Sequence, residues 1–128
     1  ADRRTDMILR GGANIYPAEV EAILSEYPAV AAAVVIGLPC DEFGNRVHAL
    51  VEVSTGMSVD IDGLDAFVRS RLAGYKCPES YEIATKALRD EAGKVRRGAL
   101  RDERIAWLNA GLSSSSRFRA PGLTTIWL

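Results

Sequence analysis

Val30 to Ile36 is an unbroken run of alanine, valine and isoleucine, with Pro28 before it and Gly37 and Pro39 after it. So short and so apolar a run reads as a buried strand, and it fixes what lies on either side. Upstream, Val20, Ile23, Leu24 and Tyr27 recur at helical spacing from Pro17, with Glu19, Glu21 and Glu26 between them. A helix therefore precedes the strand, and Pro28 closes it. Downstream, Asp41 to Asn45 has loop composition, Val47 to Val53 reads as a second strand, and Thr55-Gly56 as its turn. Asp60 is placed to cap a helix with the apolar stripe Leu64, Phe67, Val68 and Leu72, stopped by Gly74 and Pro78. Tyr81 to Ala84 reads as a third short strand, and Val95 to Leu108 as a last helix carrying Arg96, Arg97, Arg101 and Arg104. The simplest packing places two helices on one face of a small, mainly antiparallel, three-stranded sheet. The expected class is α+β.

Composition sets the outer limits. A chain of 128 residues buries about two-thirds of its unfolded surface, enough for one independent core. With 48% apolar and 26% charged residues it matches neither a disordered nor a membrane-spanning chain, and no apolar run is long enough to span a bilayer. A formal net charge of −1 gives no reason to expect nucleic acid as a partner. Cys40 and Cys77 are too few for a disulfide framework or a zinc site, so no metal site is expected and a reduced cytoplasmic setting is. The chain opens without methionine and reads as a piece of something longer.

Two motifs carry chemistry. Arg10-Gly11-Gly12-Ala13-Asn14-Ile15-Tyr16-Pro17 is a paired-glycine loop running into a helix, with Pro17 in the first turn, where a missing N–H costs nothing. Adjacent residues without Cβ let another molecule lie flat against the backbone. About eighty residues later, Ala92-Gly93-Lys94-Val95-Arg96-Arg97 sets one lysine on a glycine turn before a basic helix. In this order and spacing the pair resembles the C-terminal domain of the adenylate-forming acyl-CoA synthetase and ligase family. The resemblance runs from about Arg3 to Arg104.

The resemblance implies a division of labour. Lys94 corresponds to the family's adenylation lysine, a compact charge on a long stem suited to the charge that builds when a carboxylate joins ATP's α-phosphate. Relatives carry a proline and threonines before the Gly-Lys, whereas this chain has Leu88, Asp90, Glu91 and Ala92. Asp90 and Glu91 are accordingly expected to compete for the Lys94 charge. Arg3 occupies the position that holds the nucleotide's ribose, and Thr5 the pivot of a domain rotation, where relatives have Asp or Lys. A β-branched residue there is stiffer. After adenylation, Gly11 and Gly12 would line the tunnel through which phosphopantetheine reaches the acyl-adenylate. Phe43, Tyr75 and Lys76 match positions that face coenzyme A, with Cys77 where relatives often add a second basic residue. Residues 1–9 thus become a hinge segment, 10–110 a lid domain and 111–128, with its run of serines from Ser113 to Ser116, a flexible tail.

No Gly-x-x-x-x-Gly-Lys-Ser/Thr loop and no Ser/Thr/Gly-rich phosphate cradle is present. ATP with Mg²⁺, the carboxylic acid and coenzyme A would therefore bind mainly to a larger N-terminal adenylation domain, in the same or a separate chain. The piece alone is expected to be inactive. Two other readings remain at this point: a module that loads a carrier protein's phosphopantetheine, and a stand-alone interaction module without catalysis. His48, the single histidine, is expected half-exposed on its strand with no catalytic role, and the arginines of the last helix are expected in solvent or against the larger domain.

Overall fold

The structure is a computed structural model that describes residues 7–84, 86–109 and 118–119. A hairpin of β1 (Ile8–Arg10) and β2 (Ala13–Ile15) leads into α1 (Pro17–Leu24). Next come β3 (Val30–Cys40) and β4 (Gly44–Val53), then α2 (Ile61–Arg69), a 3-10 turn at Gly74–Lys76 and β5 (Ser80–Ile83). Helix α3 (Arg97–Asn109) and the two-residue strand β6 (Phe118–Arg119) complete the order. The sheet runs β3-β4-β5-β6, with β4 antiparallel to β3 and parallel to β5. Of residues 111–128, only β6 is described, and it pairs antiparallel with β5. The α+β class is as the sequence implies. Among the described residues no helix is long and apolar enough to cross a membrane.

Neighbouring strand residues point to opposite faces, and both faces of this sheet are covered. On one, Val35, Val47, Ala49, Val51 and Tyr81 pack against Val20 and Leu24 of α1, Leu64 and Val68 of α2, and Ile8 and Ile15 of the hairpin. On the other, Val34, Ile36, Leu38 and Leu50 meet Leu88, Val95, and Leu100 and Ile105 of α3. Burial on both sides is why Val30 to Ile36 carries no polar alternation. The expected pair of helices does share one face, and α3 adds a third layer opposite.

Three elements depart from the sequence reading. The β1–β2 hairpin stands where a plain loop was expected. Strands β3 and β4 extend past Gly37 and Pro39 to a tight connection of residues 41–43. Pro39 is tolerated because β3 is an edge strand and the missing N–H would point away from β4. That edge is covered by charge: Glu21 Oε2 accepts from Val35 N–H at 2.8 Å, and Arg101 Nε donates to Gly37 O at 2.8 Å. Asp60 does cap α2, accepting from Gly63 N–H at 3.2 Å.

Candidate functional site

The glycine pair forms the tip of the β1–β2 hairpin. Gly11 has φ +59°, a conformation that side chains with Cβ rarely adopt, and its N–H donates to Phe43 O at 2.8 Å. A Cβ built on Gly12 would meet nothing within 4 Å. The packing within this chain therefore does not require glycine at that position. Phe43 sits in the β3–β4 connection, 37% exposed, with the Arg10 guanidinium 4.2 Å from its ring centroid. Arg10 Nε in turn donates to Glu79 Oε1 at 2.7 Å.

Glu79 lies three residues beyond Lys76, so this ion pair ties the hairpin to the turn that carries Tyr75 and Lys76. Tyr75 is exposed, and Lys76 Nζ lies 5.7 Å from its ring centroid. Lys76 also bonds both carboxylate oxygens of Glu19 on α1, at 2.9 and 3.2 Å. That hydrogen bond raises the Lys76 pKa above the ordinary lysine value, and any phosphate must share the ammonium with Glu19. Cys77, in place of a second cation, is buried in the core beside Tyr81 and Val68, and burial pushes its thiol pKa up. Gly11, Gly12, Phe43, Tyr75 and Lys76 thus stand on neighbouring, mutually tied loops.

Lys94 belongs to a separate loop closed by a bridge between Arg89 and Val95. Gly93 turns it at φ +80°. Asp90 organises the turn. Its Oδ1 accepts from the backbone N–H groups of Ala92 and Lys94, both at 2.9 Å, and its Oδ2 from Arg96 Nε at 2.9 Å. The Lys94 N–H is the chief reason the Asp90 carboxyl lies below the usual range. The expected competition is therefore not what Asp90 does: its oxygens serve the backbone and Arg96. Among the described residues no acid is bonded to the Lys94 ammonium, which projects from an exposed residue. Arg3 and Thr5 lie outside the described residues.

The expected exposure is overturned for His48 and for Arg104. His48 is fully buried, with Nδ1 2.7 Å from Ser80 Oγ and Nε2 3.0 Å from Glu82 Oε1. Arg104 completes the network, donating from Nε to Glu82 Oε1 at 2.7 Å and from Nη2 to Oε2 at 2.5 Å. The serine, histidine and glutamate order looks nucleophilic, but Ser80 is 0% exposed, so no substrate reaches it in this fold. The network fastens α3 to the sheet. The other arginines of this segment are likewise engaged within the chain. Arg97 bonds Glu21 through Nε at 3.2 Å and Nη2 at 2.5 Å, Arg101 bonds Gly37 O, and Arg96 bonds Asp90. Sequence spacing missed these partners because they lie on other elements. Arg10 was visible in the motif, but nothing in the sequence pairs it with a glutamate 69 positions away.

Known proteins share this fold. The model of the AMP-binding enzyme C-terminal domain matches residues 19–94. A long-chain-fatty-acid–CoA ligase of Bacillus subtilis (strain 168) is 45% identical over 103 residues, 80% of this chain and 18% of that protein. A fatty acid–acyl-carrier-protein ligase of Streptomyces coeruleorubidus is 42% identical over 101 residues, 79% of this chain and 20% of the ligase. The solved Mycobacterium tuberculosis fatty acyl CoA synthetase superposes with a TM-score of 0.76 at 35% identity, over 82% of this chain and 21% of that one. The chain spans about a fifth of the length of each of these proteins.

Proposed function

The chain belongs to the AMP-binding enzyme C-terminal domain family, and from that premise we propose that it is the mobile lid of an ATP-dependent acyl- or aryl-CoA ligase. It serves two half-reactions from two loops. Lys94 stabilises the charge that develops at the α-phosphate while a carboxylate is adenylated. Gly11 and Gly12 wall the tunnel for phosphopantetheine, and Phe43, Tyr75 and Lys76 meet the remainder of coenzyme A. Arg3 holds the ribose and Thr5 is the pivot between the two poses, within a hinge of residues 1–9. Residues 10–110 form the lid and 111–128 the tail. An N-terminal adenylation domain supplies most of the binding of ATP, Mg²⁺, the carboxylic acid and coenzyme A. The free thiols Cys40 and Cys77 accord with a reducing cytoplasm.

The observation that supports this reading best is the Lys94 turn: a lysine with no acid, among the described residues, on its ammonium, on a loop tied by the Asp90 carboxylate. A charge used in a transition state must be positioned beforehand and left unneutralised. The carrier-protein ligase of S. coeruleorubidus, 42% identical, keeps a protein-borne phosphopantetheine open as the acceptor, since both acceptors present the same thiol arm to the glycine loop.

The chain by itself holds half of each site. It is expected to catalyse no ATP–pyrophosphate exchange with any carboxylate and to bind ATP or coenzyme A no better than millimolar, about −4 kcal/mol. Calorimetric titration checks this, and micromolar binding of either ligand to the isolated chain would contradict the half-site reading.

A further inference from the structure

We infer, building on the assignment of Phe43 to the coenzyme A nucleotide, that Arg10 is a positioning residue that clamps the Phe43 ring as a stacking platform. The guanidinium covers one side of the ring at 4.2 Å from its centroid and is itself anchored on Glu79 at 2.7 Å. Both anchors are fixed by backbone. Gly11 N–H donates to Phe43 O, Asn45 Nδ2 to Leu9 O and Glu79 N–H to Val47 O, each at 2.8 Å. The Arg10 side chain is 16% exposed, whereas Phe43 keeps 37% of its surface open. The cation is thus held in place while part of the ring remains available to a ligand.

A phenylalanine on a short hairpin connection and without such a clamp would change rotamer freely, and a base arriving on it would bear the cost of ordering the ring. A planar guanidinium on one face removes that cost and adds cation–π attraction. Purine, phenyl ring and guanidinium then form one stack, with Glu79 holding the guanidinium by its Nε edge.

The test uses the full-length ligase carrying this domain. Arg10→Gln and Glu79→Gln should each raise the KM for coenzyme A roughly three- to thirtyfold, the range of a lost cation–π contact. Calorimetric binding of the adenosine bisphosphate half of coenzyme A should weaken by the same factor. Adenylate formation should not change, nor should the KM for pantetheine, which lacks the nucleotide. Arg10→Lys should keep part of the effect, because it retains the charge and loses the plane. Adding Arg10→Gln to Phe43→Ala should cost nothing further. If the KM for pantetheine rises as much as that for coenzyme A, Arg10 merely supports the hairpin and the inference fails. If Phe43→Ala weakens nucleotide binding while Arg10→Gln does not, the inference alone is overturned. If Phe43→Ala leaves nucleotide binding unchanged, the assignment of Phe43 is overturned together with it.

Discussion

His48 shows what one residue can hide. Its side chain, Ser80, Glu82 and Arg104 are each at most 5% exposed, and together they join β4, β5 and α3. Burial lowers the His48 pKa below 6.5, against the opposing effect of its hydrogen bond to the Glu82 carboxylate. The unfolded chain therefore binds the proton more readily, and stability rises with pH over that interval. The His48 contribution is complete above about pH 6.5 and is lost as the pH falls from there toward the depressed folded value. Burial pushes the Glu82 carboxyl up, but hydrogen bonds from His48 and Arg104 bring it below 4.5, so its contribution is lost only at lower pH. Denaturant unfolding between about pH 7.5 and about pH 5 separates the two. The wild-type chain should lose stability across that range and His48→Gln should lose much less. A wild-type chain equally stable at both ends would contradict the assignment. The sequence concealed this network because no local pattern states which residues of β4 and β5 face each other. The register His48↔Ser80 is a tertiary fact.

At the scale of elements, period and punctuation read most of the order correctly: α1, α2 with its Asp60 cap, β5 and α3 lie where apolar spacing and turn residues place them, and β3 and β4 do so except that they run on past Gly37 and Pro39. The β1–β2 hairpin escaped because its strands have three residues each, too few to show alternation, and glycines interrupt them. The parallel pairing of β4 with β5 also escaped, since direction is set by the α2 crossover rather than by either strand's composition. Glu21 also joins separate elements. Its carboxylate accepts from the β3 edge at Val35 and from Arg97 of α3, so α1, β3 and α3 meet at one side chain. Glu21→Ala removes the acceptor of the part-buried Val35 N–H and two hydrogen bonds from Arg97, a loss of about 1–3 kcal/mol. Chemical denaturation should show a lower midpoint with an unchanged slope. A midpoint within error of the parent would mean that water replaces the carboxylate at no cost.

For the whole molecule, the two motifs legible in sequence lie on two different loop systems. The glycine hairpin, Phe43 and the Tyr75-Lys76 turn are tied together through Arg10–Glu79 and Lys76–Glu19, whereas the Lys94 turn is tied to Arg96 and Arg89. The motifs could be read because each consists of particular residue types at fixed local spacing. The ties between loops could not, because each joins residues distant in sequence. A lid that serves adenylation with one loop and thioester formation with the other must suffer separable damage. In the full-length ligase, Lys94→Ala should slow adenylate formation roughly 10²–10³-fold, the scale of losing one preorganised charge or donor. It should still convert supplied acyl-adenylate and coenzyme A to thioester. Gly12→Leu should do the reverse, because a bulky side chain fills the tunnel and leaves the phosphate chemistry intact. Rapid-quench measurement of both half-reactions for both variants tests the central claim most directly. The account predicts one step lost and the other kept in each variant, with the losses exchanged between them. A Lys94→Ala enzyme that adenylates at the parental rate, or variants that lose both steps by the same factor, would contradict it.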